Sequence, residues 1–183
     1  ALMAHPELVK DCLSAMKESS NKTISVKIRL GINDENIFES LDKFVSIIAE
    51  TGVNVFYVHA RKAILGKLSP KDNREIPPLN YERVFQLKKD FKDLEIIANG
   101  GIKDIIEGKD LFSDLDGIMI GREAYSNPRI LGKIDSTFYK SNDMEKPLKE
   151  ITENMFDYFD TLKSKSEIKR GLIHMHGLYS GLK

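Results

Sequence analysis

"EIIANGGIKD", residues 95–104, runs from apolar residues into Asn99-Gly100-Gly101 and out into a charged segment. Asn and Gly tolerate positive φ, so the three residues either close a hairpin or form a backbone concavity for an anion. The next stretch decides between these readings. "IKDIIEGKDLF" (102–112) has helical spacing, so the run is a turn from strand into helix. Such a Gly-rich turn aims N–H groups and the positive end of a helix dipole at an anion. The alternative is that the glycines only make the turn tight.

Four runs share one shape: "ISVKIRLG" (24–31), "NVFYVHAR" (54–61), "LEIIANGG" (94–101) and "DGIMIGR" (116–122). Their apolarity is continuous rather than alternating, as in parallel strands covered on both faces. Helical patterns lie between them. Phe38, Leu41, Phe44, Val45 and Ile48 form one apolar face, with Gly52 placed as a C-terminal cap. Tyr81, Val84 and Phe91 form another, after a capping Asn80. The first segment carries Pro6 near a helix start and a stripe of Leu8, Cys12, Ala15 and Met16 that should be buried.

Strand and helix in alternation with short links specify an α/β fold. A (β/α)8 TIM barrel takes about 250 residues, so four strands and a lead-in helix read as its C-terminal part. An open doubly wound sheet is the alternative. From about Asp143 no strand-like run follows, and Leu148, Ile151, Met155, Tyr158, Phe159 and Leu162 fall at helical spacing. The expected division is therefore 1–142, barrel, and 143–183, the start of a small helical domain.

The 183 residues are 41% hydrophobic, with 28 basic and 28 acidic side chains. Zero net charge argues against coating nucleic acid by charge alone and leaves room for a local basic surface. No run is long enough for a bilayer, so no membrane association is expected. One cysteine, Cys12, excludes an internal disulfide and fits a reducing, cytoplasmic setting. The opening "ALMAHPELVKDC" has neither a signal-peptide pattern nor an initiator Met, and the expectation is a piece of a longer protein.

In a parallel barrel the ligand sits at the carboxyl ends of the strands. Lys27, Arg29 and Gly31, then His59 and Arg61, then Asn99 to Gly101, then Gly121 and Arg122 all fall there. Gly121 and Arg122 add a backbone approach and a forked cation to the Asn-Gly-Gly turn, a pair suited to phosphate. Lys27 lies inside an apolar strand, where a charge needs a partner or a role. Alternation puts Arg29 on its side, and His59 and Arg61 together. "HMH" (174–176) lacks the spacing and companions of a zinc site, so no metal is expected. Cys12, on an apolar helix face, reads as structural. The link "KAILGKLSPKDNREIPPLN" (62–80) is long and cationic, and either meets a polyanion or is a solvated surface loop.

"VKIRLG", "FYVHARKAILGKLSPKDNREIPPL", "IANGGI" and "DGIMIGREAYSNP" resemble the second half of the tRNA-dihydrouridine synthases, specifically the A subfamily. The likeness spans nearly all of residues 1–139 and continues weakly through "IHMHGLYSG". It implies an FMN-dependent enzyme that reduces uridine to 5,6-dihydrouridine at positions 20 and 20a of the tRNA D-loop. NADPH would recharge the flavin, and a helical domain would help hold tRNA. By that resemblance Lys27 and His59 contact the flavin ring, while Asn99, Gly100, Gly101, Gly121 and Arg122 cradle the FMN phosphate. Arg29 is implied as a contact to the target uracil, with Arg61, Lys71, Asn73 and Arg74 on the tRNA side. The family's proton donor is a cysteine that Cys12 does not match. It would lie upstream of Ala1, so no catalytic residue is expected in this chain, and the chain alone should be inactive. The parent is expected to be monomeric. Another FMN barrel oxidoreductase acting on a small molecule such as dihydroorotate, or a non-catalytic tRNA-binding relative, are the alternatives.

Overall fold

A computed structural model describes residues 2–142 and 145–179. The chain divides into two compact units, one comprising the residues up to Gly101 with Phe112–Met119, the other Ile102–Leu111 with the residues from Ile120 onward. The expected boundary at 142/143 falls on Asp143 and the chain end on Lys183, both outside the described residues.

The first unit is a parallel sheet in sequence order: β1 (Ser25–Arg29), β2 (Val55–His59), β3 (Glu95–Asn99) and β4 (Gly117–Met119). All four strands expected from the apolar runs form, each shorter than its run. Between them lie α2 (Glu39–Ala49) and α3 (Tyr81–Asp90), and α1 (Pro6–Ser19) leads in. This is a sheet-and-helix portion of a TIM barrel. Alternation sorts the strands cleanly. Ile28, Phe56, Val58, Ile96 and Ala98 are buried on one face, and Leu41, Phe44, Val45 and Ile48 of α2 with Val84 and Leu87 of α3 complete the core. Burying such a side chain stabilises by about 1.5–3 kcal/mol, so this face holds the unit together. Asn80 caps α3 as its type suggests, its Oδ1 accepting from the Arg83 N–H at 2.9 Å.

Two expectations fail in this unit. Leu8, Cys12, Ala15 and Met16 do not form a buried stripe, for Leu8 is 51% and Met16 53% exposed and Cys12 is exposed too. Apolar residues run around much of α1, and the covered arc is the one centred on Leu13. On that side Lys10 and Lys17 reach the end of α2, at Glu50 Oε2 (2.5 Å) and the Thr51 carbonyl (2.7 Å). Phe38 is likewise no core residue: it stands just before α2, 54% exposed, with the Arg83 guanidinium 5.0 Å from its ring centre.

The second unit contains α4 (Ile105–Leu111), α5 (Arg122–Ser126), α6 (Ile134–Phe138), α7 (Leu148–Thr161) and α8 (Lys165–Met175). The helix expected after the Asn-Gly-Gly turn is α4, and the Asp104 carboxylate caps it by accepting from the Ile106 and Glu107 N–H groups. Those backbone donors, Glu107 first, hold the Asp104 carboxyl below its ordinary pKa. Phe159, Met175 and Leu178 make a small core flanked by Leu148, Ile151, Met155 and Leu162. Tyr158, expected on that face, is 54% exposed, one residue out of phase with Phe159. Among the described residues no helix is long and apolar enough to cross a membrane, and no group of three or more His, Cys, Asp or Glu could hold a metal.

Candidate active-site face of the parallel sheet

Opposite the buried face, the strands present their polar side chains. The register aligns Arg29, His59, Asn99 and Met119 in one row at the carboxyl ends, with Lys27, Tyr57, Ile97 and Gly117 two residues back. Period-two alternation therefore puts Lys27, Arg29, His59 and Asn99 on one face. His59 and Asn99 are each only 8% exposed. The Asn99 amide donates from Nδ2 to the Met119 carbonyl at 2.8 Å, and its own backbone carbonyl accepts from the Ala60 N–H at 2.9 Å. Asn99 thus ties the ends of three strands together.

Lys27 is exposed on this face, and its ammonium, partly desolvated, has no hydrogen bond or carboxylate among the described residues. Burial, and then the charge of Arg29, holds its ammonium below the ordinary lysine pKa of 10.5. Arg29 is pushed the same way, by burial and then by the charges of Arg61 and Arg74. Cations gathered at the carboxyl ends of the strands suit an anionic or electron-rich ligand.

The Asn-Gly-Gly turn is built as its composition suggests. Gly100 and Gly101 have φ of +112° and +71°. A Cβ on Gly100 would lie 2.7 Å from His59 Cδ2, and one on Gly101 would lie 2.7 Å from Leu79 Cδ1 and 2.9 Å from the Tyr81 hydroxyl. That hydroxyl donates to the Gly100 carbonyl at 2.6 Å, and burial raises its pKa, so it remains a donor. Leu79 and Tyr81 are parts of the site that composition did not reveal, because Tyr81 read as an apolar helix position. Gly100→Ala is expected to lose about 1–3 kcal/mol from strain and the collision with His59. Gly66→Ala, at a φ of +73° that alanine tolerates better and with open space around it, should lose distinctly less. Denaturant midpoints of the two variants test the difference.

The 62–80 link contains little regular structure beyond a 3-10 turn at Asp72–Arg74. Alternation ends at His59: the Arg61 N–H closes onto the His59 carbonyl at 2.7 Å, and its guanidinium turns to the Glu75 carbonyl (3.1 Å) and the Pro77 carbonyl. Arg29 Nη1 donates to the carbonyls of Lys62 (2.9 Å) and Asn73 (2.7 Å). Lys67, Lys71 and Arg74 are exposed. In the second unit, Gly121 precedes α5 with φ −103° and Arg122 opens that five-residue helix.

The parallel sheet alternating with helices, its strand ends polar, is part of a (β/α)8 barrel. Residues 1–182 match the sequence signature of the dihydrouridine synthase (Dus) family, and the chain belongs to that family. It is 46% identical over 183 residues to a tRNA-dihydrouridine(20/20a) synthase of Vibrio parahaemolyticus serotype O3:K6, covering 99% of this chain and 56% of the relative. Proteins of the same name from Pasteurella multocida (strain Pm70) and Escherichia coli (strain K12) are 44% and 41% identical, with 56% and 53% of the relative covered. The chain spans about half the length of the curated relatives it matches.

Proposed function

We propose that this chain is the flavin-facing and RNA-facing part of an enzyme that reduces uridine to 5,6-dihydrouridine in tRNA, at positions 20 and 20a, in the cytoplasm. Residues 1–142 would belong to the barrel and residues 143–183 to a helical tRNA-holding domain. The carrying observation is Lys27, an exposed, partly desolvated cation without a carboxylate, sharing a sheet face with Arg29 and the buried His59 and Asn99.

FMN suits the residues present. Gly100 and Gly101 leave a backbone surface that any Cβ would fill, and Lys27 has a positive charge with no counterion. When bound, FMN would supply hydride to the uracil C5–C6 double bond, with NADPH as the source of reducing equivalents. Lys27 holds a fixed positive charge on that face, where electron density on a ring would be stabilised. His59 stands against Gly100 and limits how closely anything else approaches the turn. A phosphate role for Gly121 and Arg122 rests on the resemblance alone. Cys12 is exposed on α1, so no thiol of this chain is assigned as proton donor, and the chain by itself would not reduce uridine.

The target base sits in folded RNA and must leave its stack to react. The cationic loop, together with the substrate in the relatives' names, favours RNA over a small pyrimidine. The protein should purify yellow with FMN, and its tRNA affinity should fall steeply with salt. A colourless protein, or one that ignores tRNA and reduces dihydroorotate-type substrates, would overturn the reading.

A further inference from the structure

We infer that Asn73 is a positioning residue: with Arg29 and Arg61 it builds the 62–80 loop into a fixed platform that presents Lys67, Lys71 and Arg74 to RNA, and it does not itself contact the RNA. The inference rests on the tRNA reading above and departs from the direct tRNA contact that family resemblance implies for Asn73.

The Asn73 amide is committed within the loop. Its Oδ1 accepts from the Ile64 N–H at 2.7 Å, and its Nδ2 donates to the carbonyls of Ile64 (2.8 Å) and Leu68 (3.2 Å). An asparagine amide has two donor hydrogens, and both have acceptors here. Its backbone is held too, by the Ser69 carbonyl at 2.9 Å and by Arg29 Nη1 at 2.7 Å. One small side chain therefore gathers both ends of the 64–73 segment.

Other contacts anchor this knot. Ile32 and Ala63 form a parallel bridge, Leu65 donates to Asn33 Oδ1 at 2.7 Å, and Lys62 Nζ donates to the Glu35 carbonyl at 2.8 Å. Arg29 joins the start of the loop to Asn73, and Arg61 holds its far end at Glu75 and Pro77. Both arginines reach the loop from the carboxyl ends of β1 and β2. A loop ordered before RNA arrives loses less conformational freedom on binding.

The electrostatics of RNA binding supply a test that separates positioning from contact. Removing a neutral side chain that touches RNA directly leaves the salt dependence of binding unchanged, because no phosphate contact is lost. Removing one that places several cations lowers the slope of log K against log salt, as losing a phosphate-bound lysine does by about one. In the flavin-loaded protein, Asn73→Ala should speed amide exchange at Ile64 and Leu65. It should also weaken tRNA binding by about tenfold and lower the salt slope by about one or more, with flavin retained. Lys71→Ala should lower the slope by about one with loop protection intact. Arg29→Lys keeps the charge but is shorter and loses the planar Nη1 that donates to both carbonyls, and should loosen the loop and lower the slope as Asn73→Ala does.

Weaker tRNA binding by Asn73→Ala with wild-type loop protection and slope would mean direct contact and would overturn the inference. So would a loosened loop that leaves tRNA binding unchanged. A wild-type protein that does not bind tRNA defeats the functional reading itself, a result distinct from either.

Discussion

Asp42→Ala is expected to destabilise the protein by about 3 kcal/mol, whereas Arg83→Met, at the other end of the same ion pair, should cost under about 1 kcal/mol. The Arg83 side chain is fully enclosed, and Asp42 is 36% exposed. The guanidinium bonds the Asp42 carboxylate through Nη2 and the Ile37 carbonyl through Nε at 3.2 Å, and it lies over Phe38. Its Nη1 is buried without an acceptor among the described residues. Removing Asp42 strands a buried charge. Water reaches the Asp42 side, which places the loss at the low end of the range for broken buried pairs. Removing Arg83 takes the charge away, fills most of the space with methionine and leaves Asp42 partly solvated. Denaturant unfolding of the two variants measures the asymmetry, and equal losses would show that the pair itself stabilises the α2–α3 contact.

In the full-length parent enzyme, Lys27→Met should lower turnover about a hundredfold, the scale of losing one preorganised charge at a reacting centre, without lowering stability. The reason lies in the direction of its pKa. Burial and Arg29 depress it below 10.5, so between the folded value and 10.5 the unfolded chain binds more protons. Stability therefore rises with pH through that window, and the charged lysine is a cost to the fold that methionine removes. The same depression brings the alkaline loss of activity to lower pH than an ordinary lysine would give. A pH–rate profile of the wild type with thermal melts of both proteins checks the two halves. A variant that is both less stable and fully active would mean that Lys27 is structural.

The strands and their order were legible because continuous apolar runs ending in Lys, His, Asn or Gly have few other uses, and all four runs became strands. The shared polar face was legible for the same reason: Lys27, Arg29, His59 and Asn99 lie inside those runs, and the register brings them onto one face. The α1 stripe was not, because its apolar residues cover too much of the helix for spacing to choose an arc, and the contact with α2 chose Leu13. Arg83 was hidden because a buried arginine looks like any surface helix cation until Asp42 is seen beside it. Asn73 was misleading in a different way. In "KDNRE" it reads as a solvated loop residue, and its partners Ile64 and Leu68 become visible only once the chain has folded back.

The most direct test of the central claim is the product in tRNA. Incubated with NADPH and unmodified tRNA, the full-length parent enzyme with FMN bound should form dihydrouridine at positions 20 and 20a, its Lys27→Met variant about a hundredfold less in the same time, and this chain alone none. A full-length wild-type parent that retains FMN but leaves those uridines unreduced, or a Lys27→Met variant of it that reduces them at the wild-type rate, would contradict the account.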